Sequence, residues 1–147
     1  MSRKSAREVA FKLIFENCFH EPEDGITYEE FLSDFHVPEE VPEDSVFFEL
    51  KNKLDDKDIS YIKETYVGVI EKSEEVKELI SQNLVNYTAE RLYKVDLAIL
   101  IYSVYELKYT SEPSKVVINE AVELAKKYSD EKSPSFINGV LAKIINK

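Results

Sequence analysis

The chain has 147 residues, of which 44% are hydrophobic and 33% charged, and its formal net charge is −10 at pH 7. These values are typical of a single globular domain and exclude a chain that is disordered throughout. With only three glycines and five prolines, the chain has too few turn residues for a many-stranded β-sandwich, so the composition favours helix.

The absence of several sequence features indicates the cellular compartment of the protein. Cys18 is the single cysteine and cannot form a disulfide within the chain, which favours a reducing compartment. No apolar run approaches the roughly 20 residues of a membrane-spanning helix. The N-terminus has no apolar signal-peptide core, because its cations lead directly into an amphipathic pattern. We therefore expect a cytoplasmic protein with no membrane contact.

The acidity is concentrated in one segment. Residues 21–58 hold fourteen acidic residues against three lysines, a net charge of −11. Residues 59–147 carry −1, whereas residues 1–20 carry +2, with four cations against two glutamates. The start of the chain is therefore locally basic and suits a polyanionic partner, although the same charges could be only solubilising.

The first predicted helix begins at Ser5. Apolar residues over 6–14 recur at the three- and four-residue spacing of one helical face. Ser5 and Glu8 fit a capping box, which places Arg3 and Lys4 before the helix. Cations at a helix N-terminus oppose the helix dipole, which favours a role other than stability.

Aromatic residues are numerous, with nine tyrosines and eight phenylalanines. Such rings can stack on nucleobases, but helical spacing assigns most of them to core packing. Phe11 and Phe15 lie four residues apart with Arg7, off the main apolar face. One edge of the first helix is therefore expected to present a cation and two rings.

The acidic segment 21–58 also holds three prolines, and it is predicted as loop with one short helix from Thr27 to about Phe35. Its carboxylates lack the regular ligand spacing of a calcium loop, so a solvated charge run is expected.

Regular helical spacing resumes near Asp58 and continues to the C-terminus. Ser73 is placed to cap one helix, and Pro113 to start a later one. The run over 97–102 is almost wholly apolar, which predicts a central buried helix. Ser133–Pro134 matches a cap followed by a first-turn proline and opens the last helix. The pattern predicts an all-α fold of six or seven helices without internal repeats.

No pattern for catalysis is present. His20 and His36 lack the partners and spacing of a zinc site, and Cys18 continues an apolar face as a structural thiol does. Three glycines cannot supply a phosphate-cradling loop. We expect no enzyme activity, no cofactor and no metal site.

Four segments carry a resemblance to a known family. The stretch VVINEAVELAKKYSDEKSPSFINGVLAKI (116–144) resembles the C-terminal signature of the NusB family of bacterial transcription antitermination factors. AREVAFKLIF (6–15) is similar to that family's first helix, YVGVIE (66–71) to its glycine-bearing third helix, and VDLAILIYSVYEL (95–107) to its central buried helix. The similar segments follow the same order as in the family and cover most of the chain. The similarity is lost mainly over residues 21–58.

The resemblance implies an all-α fold of about seven helices in two packed subdomains, about 1–72 and about 73–147, within one domain over 1–147. It also implies a non-catalytic factor that binds single-stranded boxA RNA of ribosomal RNA leaders. The partner it implies is NusE, the transcription-factor form of a small-subunit ribosomal protein. Other Nus factors and RNA polymerase would complete the antitermination complex.

Site residues follow from the same resemblance. RNA contacts are expected from the basic first helix and from the loop and helix start near the C-terminus, and the partner contact from an acidic residue of the central helix. The expected RNA-binding residues are Arg3, Lys4, Arg7, Lys12 and Phe15, with Ser133, Phe136 and Asn138, and the expected NusE-facing residue is Asp96. Structural alternatives stay open: Phe136 as core, Ser133 as a helix cap, and Gly139 for close helix packing.

The chain also departs from the family pattern. Leu97 and Ile101 stand where many members have basic residues, and Ser135 where a lysine is frequent. Each departure removes a phosphate contact, so RNA affinity without NusE should be low. We also expect the acidic segment to face away from RNA.

Two other functions stay open. One is a protein-only adaptor that binds NusE with little RNA contact. The other is the RNA-binding module of a ribosomal RNA methyltransferase, which is normally fused to a catalytic domain. Family members occur as monomers and as homodimers, and the sequence does not separate the two.

Overall fold

The computed structural model of the protein describes residues 3–17, 55–85 and 88–146. By its contacts the chain divides into two compact units, Met1–Ile70 and Glu71–Lys147. The sequence predictions that lie outside the described residues concern Cys18, His20, His36, the short helix from Thr27 to Phe35 and most of the acidic segment.

The described residues form six α-helices and one 3₁₀ helix, with no β-strand, which confirms the predicted all-α class. None of these helices combines the length and apolar character required to span a membrane. The elements are α1 (Arg3–Asn17), α2 (Asp56–Glu71), α3 (Ser73–Gln82), the 3₁₀ helix (Ala89–Arg91), α4 (Lys94–Tyr109), α5 (Ser114–Tyr128) and α6 (Ser133–Ile145).

In the first unit, α1 begins at Arg3, two residues earlier than predicted. The capping box at Ser5 is therefore wrong, and Arg3 and Lys4 belong to the first helical turn. No acidic residue of that turn offsets the unfavourable interaction between these cations and the helix dipole. The predicted apolar face is buried as expected, through Ala6, Val9, Ala10, Leu13 and Ile14.

Helix α2 begins directly after a capping residue. Asp55 Oδ1 accepts the backbone N–H of Asp58 at 2.9 Å, and Asp58 Oδ2 accepts the backbone N–H of Asp55 at 3.4 Å. The hydrogen bond from Asp58 lowers the pKa of Asp55 below its ordinary value. The stabilisation of the folded state by the ionised carboxylate of Asp55 is therefore present near neutral pH and is lost as the pH falls through that lowered pKa.

In the second unit, α4 is the central element. Residues 96–104 are all buried, because α3, α5 and α6 pack around this helix. The apolar run over 97–102 is thus explained by burial on every side of the helix, as predicted. Leu97 and Ile101 are each 3% exposed, so both side chains face the interior of this unit.

Helices α5 and α6 pack against each other and against α4. Each presents one apolar face, at the spacing read from the sequence. The buried residues are Val117, Ala121, Leu124 and Ala125 on α5, and Ile137, Val140, Leu141 and Ile144 on α6.

Candidate nucleic-acid interface

The expected RNA-binding residues form two groups, one in each unit. The first group lies on α1, where the backbone of Arg3 and Lys4 forms the first turn. Lys12 and Phe15 are partly exposed farther along the helix. Phe11 is only 2% exposed, with its ring centroid 6.2 Å from that of Phe15. The expectation that this edge presents both rings is therefore wrong for Phe11.

Arg7 is buried, with 4% of its surface exposed. Its guanidinium carbon lies 6.0 Å from the centroid of the Tyr61 ring, so it links α1 to α2 within the first unit. This distance is at the outer limit of a cation–π interaction, and the planar guanidinium suits such packing. Arg7 as an RNA contact stays a prediction, and its burial supports a packing role instead.

We expect Arg7→Ala to lower the free energy of unfolding by about 1–3 kcal/mol, because it removes a buried, packed side chain. Urea denaturation followed by circular dichroism measures this change. Lys12→Ala is the matched control on the same helix, with an expected change within about 0.5 kcal/mol because Lys12 is partly exposed. Unchanged stability of Arg7→Ala would contradict the packing role.

The second group lies at the start of α6. Ser133 is 2% exposed, and its Oγ lies 3.1 Å from Asp96 Oδ2 and 2.7 Å from Ser129 Oγ. The side chain of Ser133 is therefore turned towards α4 and does not cap α6. The cap comes from Asp130, whose Oδ1 accepts the backbone N–H groups of Lys132 at 2.9 Å and Ser133 at 3.1 Å. Since these amides are already bonded, they are not open donors for a phosphate.

Phe136 and Asn138 have different surroundings. Phe136 is partly exposed, whereas Asn138 is exposed and lines an open groove between α5 and α6. The groove has a volume of about 510 Å³ and mixes amide, hydroxyl and aliphatic groups with one lysine. Its other lining residues are Lys115, Ile118, Asn119, Val122, Pro134 and Ser135.

Asp96, expected at the NusE-facing surface, is 8% exposed. Its carboxylate accepts a hydrogen bond from Ser129 Oγ at 2.6 Å and faces Ser133 Oγ. The structure thus brings the expected partner residue and one expected RNA-binding residue into one buried cluster. Sequence reasoning missed this contact, because the two serines lie 33 and 37 residues beyond Asp96.

Gly139 has no packing role in the structure. A Cβ atom added at this position would meet nothing within 4 Å, so the alternative of close helix packing is wrong. We expect Gly139→Ala to raise the free energy of unfolding by about 0.5–1 kcal/mol, because glycine is unfavourable inside a helix. Thermal and urea unfolding measure the change. A loss of stability would contradict the open surroundings of this position.

The described residues offer no metal centre, since no group of three or more histidine, cysteine, aspartate or glutamate side chains among them could hold an ion. The first group forms a basic helix start in one unit. The second group, in the other unit, comprises a capped loop beside an exposed groove that is lined in part by amide side chains. Over the described residues these features define an all-α protein.

Comparison with known proteins gives the family. The NusB family model matches residues 4–146, and the chain therefore belongs to the NusB family. It is 45% identical over 149 aligned residues to transcription antitermination protein NusB of Clostridium botulinum (strain Kyoto / Type A2), covering 99% of this chain and 100% of the relative.

Solved structures agree with this assignment. NusB of T. maritima superposes with a TM-score of 0.78 at 27% identity, covering 100% of this chain and 92% of the other. A chain in the crystal structure of antitermination factors NusB and NusE in complex with dsRNA gives a TM-score of 0.75 at 28% identity, covering 98% and 96%. The predicted family and the predicted fold class are both confirmed.

Proposed function

We propose that this protein is a cytoplasmic, non-enzymatic transcription antitermination factor that binds boxA RNA of ribosomal RNA leaders together with NusE. The observation that carries the proposal is the match to the NusB family over residues 4–146, with a curated antitermination protein aligned along its whole length. In this role the protein acts with the other Nus factors to keep RNA polymerase elongating through terminators.

The RNA contacts are assigned to both groups of residues. Arg3, Lys4 and Lys12 would bind phosphates, and Phe15 would stack on an unpaired base. Three such phosphate contacts give mainly non-specific affinity, with a Kd of about 10⁻⁴–10⁻⁶ M near physiological salt. This weakness is the physical reason for a second RNA-binding protein on the same strand.

The second RNA contact is the start of α6. Asn138 is exposed, and an amide side chain can pair with the donor and acceptor edge of an unstacked base. Phe136 is partly exposed and would add ring contact to the same strand. Ser133 is buried and would act through the position of the loop, and Arg7 would act through the packing of α1.

The partner is supported by a structural relative. A complex of NusB and NusE with double-stranded RNA contains a chain similar to this one along 98% of its length. Because our proposal concerns a single strand, single-stranded boxA RNA and its duplex form are both needed as ligands in any binding test.

A second candidate is the protein-only adaptor that binds NusE with little RNA contact. The burial of Arg7 favours it, because the guanidinium is then not exposed to RNA, and the uncharged side chains of Leu97 and Ile101 offer no cation at their positions. The methyltransferase module has less support, since the curated relative aligned along its whole length is named as an antitermination protein.

Transcription through a terminator tests the proposal. The template carries a boxA leader, and the reaction contains RNA polymerase, NusE and the other Nus factors. We expect readthrough to rise when this protein is added, and to stay at its basal level on a template whose boxA sequence is scrambled. Equal readthrough with and without the protein would overturn the proposed function.

A further inference from the structure

A buried carboxylate joins α4 to both ends of the α5–α6 connection. Ser129, directly after α5, donates its hydroxyl to Asp96 Oδ1 at 2.6 Å. Ser133, the first residue of α6, lies 3.1 Å from Asp96 Oδ2 through its Oγ. The two serine oxygens are 2.7 Å apart, so the three side chains form one cluster, and Ser133 Oγ also lies 3.2 Å from Asp130 Oδ1.

The carboxylate of Asp96 offers little exposed surface to an outside partner. Asp96 is 8% exposed, and both of its oxygens already face a hydroxyl group. Hydrogen bonds to a carboxylate are roughly twice as strong as those between neutral groups. A protein partner that paired with Asp96 would have to displace these hydroxyls, and each serine would lose a charged acceptor, although Ser133 Oγ would keep Asp130 Oδ1 at 3.2 Å and Ser129 Oγ at 2.7 Å.

The geometry of the connection depends on the same group. Residues 129–132 are the whole link between α5 and α6, and Asp130 closes it locally by accepting two backbone N–H groups. Local capping fixes the shape of the turn, and the two oxygens of Asp96 link its two ends to α4. Asp96 therefore adds a polar link between α4 and the start of α6, the helix that carries Phe136 and Asn138, beside the apolar packing of α6 against α4 and α5.

We infer that Asp96 is a positioning residue for RNA binding, which holds the α5–α6 connection through Ser129 and Ser133, and that it is not a contact for NusE. This inference rests on the proposed function. If Asp96 is a positioning residue, its replacement lowers the affinity for RNA. If Asp96 were a surface contact for the partner, its replacement would lower the affinity for NusE.

The test is a double-mutant cycle on Asp96→Asn and Ser133→Ala, with Ser129→Ala as a milder third variant. Each protein is titrated with single-stranded boxA RNA in the absence of NusE, and separately with NusE in the absence of RNA. We expect each single variant to lose about three- to tenfold in RNA affinity, with the double variant no weaker than the weaker single one. We expect NusE affinity to stay within about twofold of the wild type, because the carboxylate faces inward.

Ser103→Ala is the matched control. Ser103 is also buried, and its hydroxyl donates to Ile99 O at 2.7 Å inside α4. The substitution removes a buried serine hydroxyl of α4 that lies outside the cluster of Asp96, Ser129 and Ser133. We expect the RNA affinity of this variant to be unchanged. Hydrogen exchange of the amides over 130–133 should rise in the cluster variants and not in the control.

Three outcomes would overturn the inference. Loss of NusE affinity in Asp96→Asn alone would make the residue a direct partner contact. Additive losses of RNA affinity would show that Asp96 and Ser133 act separately. Wild-type RNA affinity in all three cluster variants would make the cluster purely structural. If the wild-type protein itself fails to bind boxA RNA, with and without NusE, the proposed function fails instead.

Discussion

Replacing Arg3 and Lys4 together with alanine is expected to lower the affinity for single-stranded boxA RNA about 25-fold at 0.1 M salt. Each phosphate contact on a single strand contributes about 0.7 to the slope of log affinity against log salt, so the loss of two contacts lowers the slope by about 1.4. Between 1 M and 0.1 M salt this corresponds to about 1.4 logarithmic units of affinity. A titration series over several salt concentrations measures both quantities.

The control for this variant must remove the same charge elsewhere. Lys108 and Lys143 are exposed and lie outside the expected RNA-binding set, so Lys108→Ala with Lys143→Ala makes an equal change in net charge. We expect its salt slope to match that of the wild type. Equal losses in both double variants would show that only the overall charge matters, and an unchanged Arg3 and Lys4 variant would favour the adaptor.

The second large effect concerns the core of the second unit. Leu100 is fully buried at the middle of α4. We expect Leu100→Ala to lower the free energy of unfolding by about 2–5 kcal/mol, because burial is lost and a cavity is left between tightly packed helices. Urea denaturation followed by far-ultraviolet circular dichroism gives the value.

Val116→Ala is the control for the core variant. Val116 is 42% exposed on α5, and we expect its change to stay within about 0.5 kcal/mol. A loss below about 1 kcal/mol for Leu100→Ala would contradict the central position of α4, because a fully buried leucine cannot lose three carbon atoms at so small a cost.

The helices of the second unit were predictable because the burial of a helix face requires apolar residues at regular spacing in the sequence. Helix α4 is apolar on every side and is surrounded by other helices, while α5 and α6 have one apolar face each and are buried on that face. These signals are local, since each depends on spacings of three and four residues.

Contacts between distant residues were not predictable in this way. Ser133 has the sequence pattern of a helix cap, but its hydroxyl turns to Asp96, while Asp130 caps the helix. Arg7 belongs to a basic cluster in the sequence, but it lies near Tyr61, which is 54 positions further along the chain. In both cases a tertiary neighbour decides the role, and periodicity carries no information about it.

The start of α1 and the glycine of α6 show the same limit at short range. Ser5 with Glu8 is a reasonable capping pair, yet the helix continues past it to Arg3. Gly139 suggests close packing, yet the space around it is open. Propensity rules give the residue types that suit a position, but they do not give the surroundings of that position.

The proposed function requires that this protein and NusE bind boxA RNA jointly. The most direct measurement is the affinity of the protein for single-stranded boxA RNA with and without saturating NusE, beside NusE alone and with a duplex of the same sequence as the comparison ligand. We expect weak binding by each protein alone, much tighter binding by the two together, and a preference for the single strand. RNA affinity that is the same for NusE alone and for NusE with this protein would contradict the proposed function.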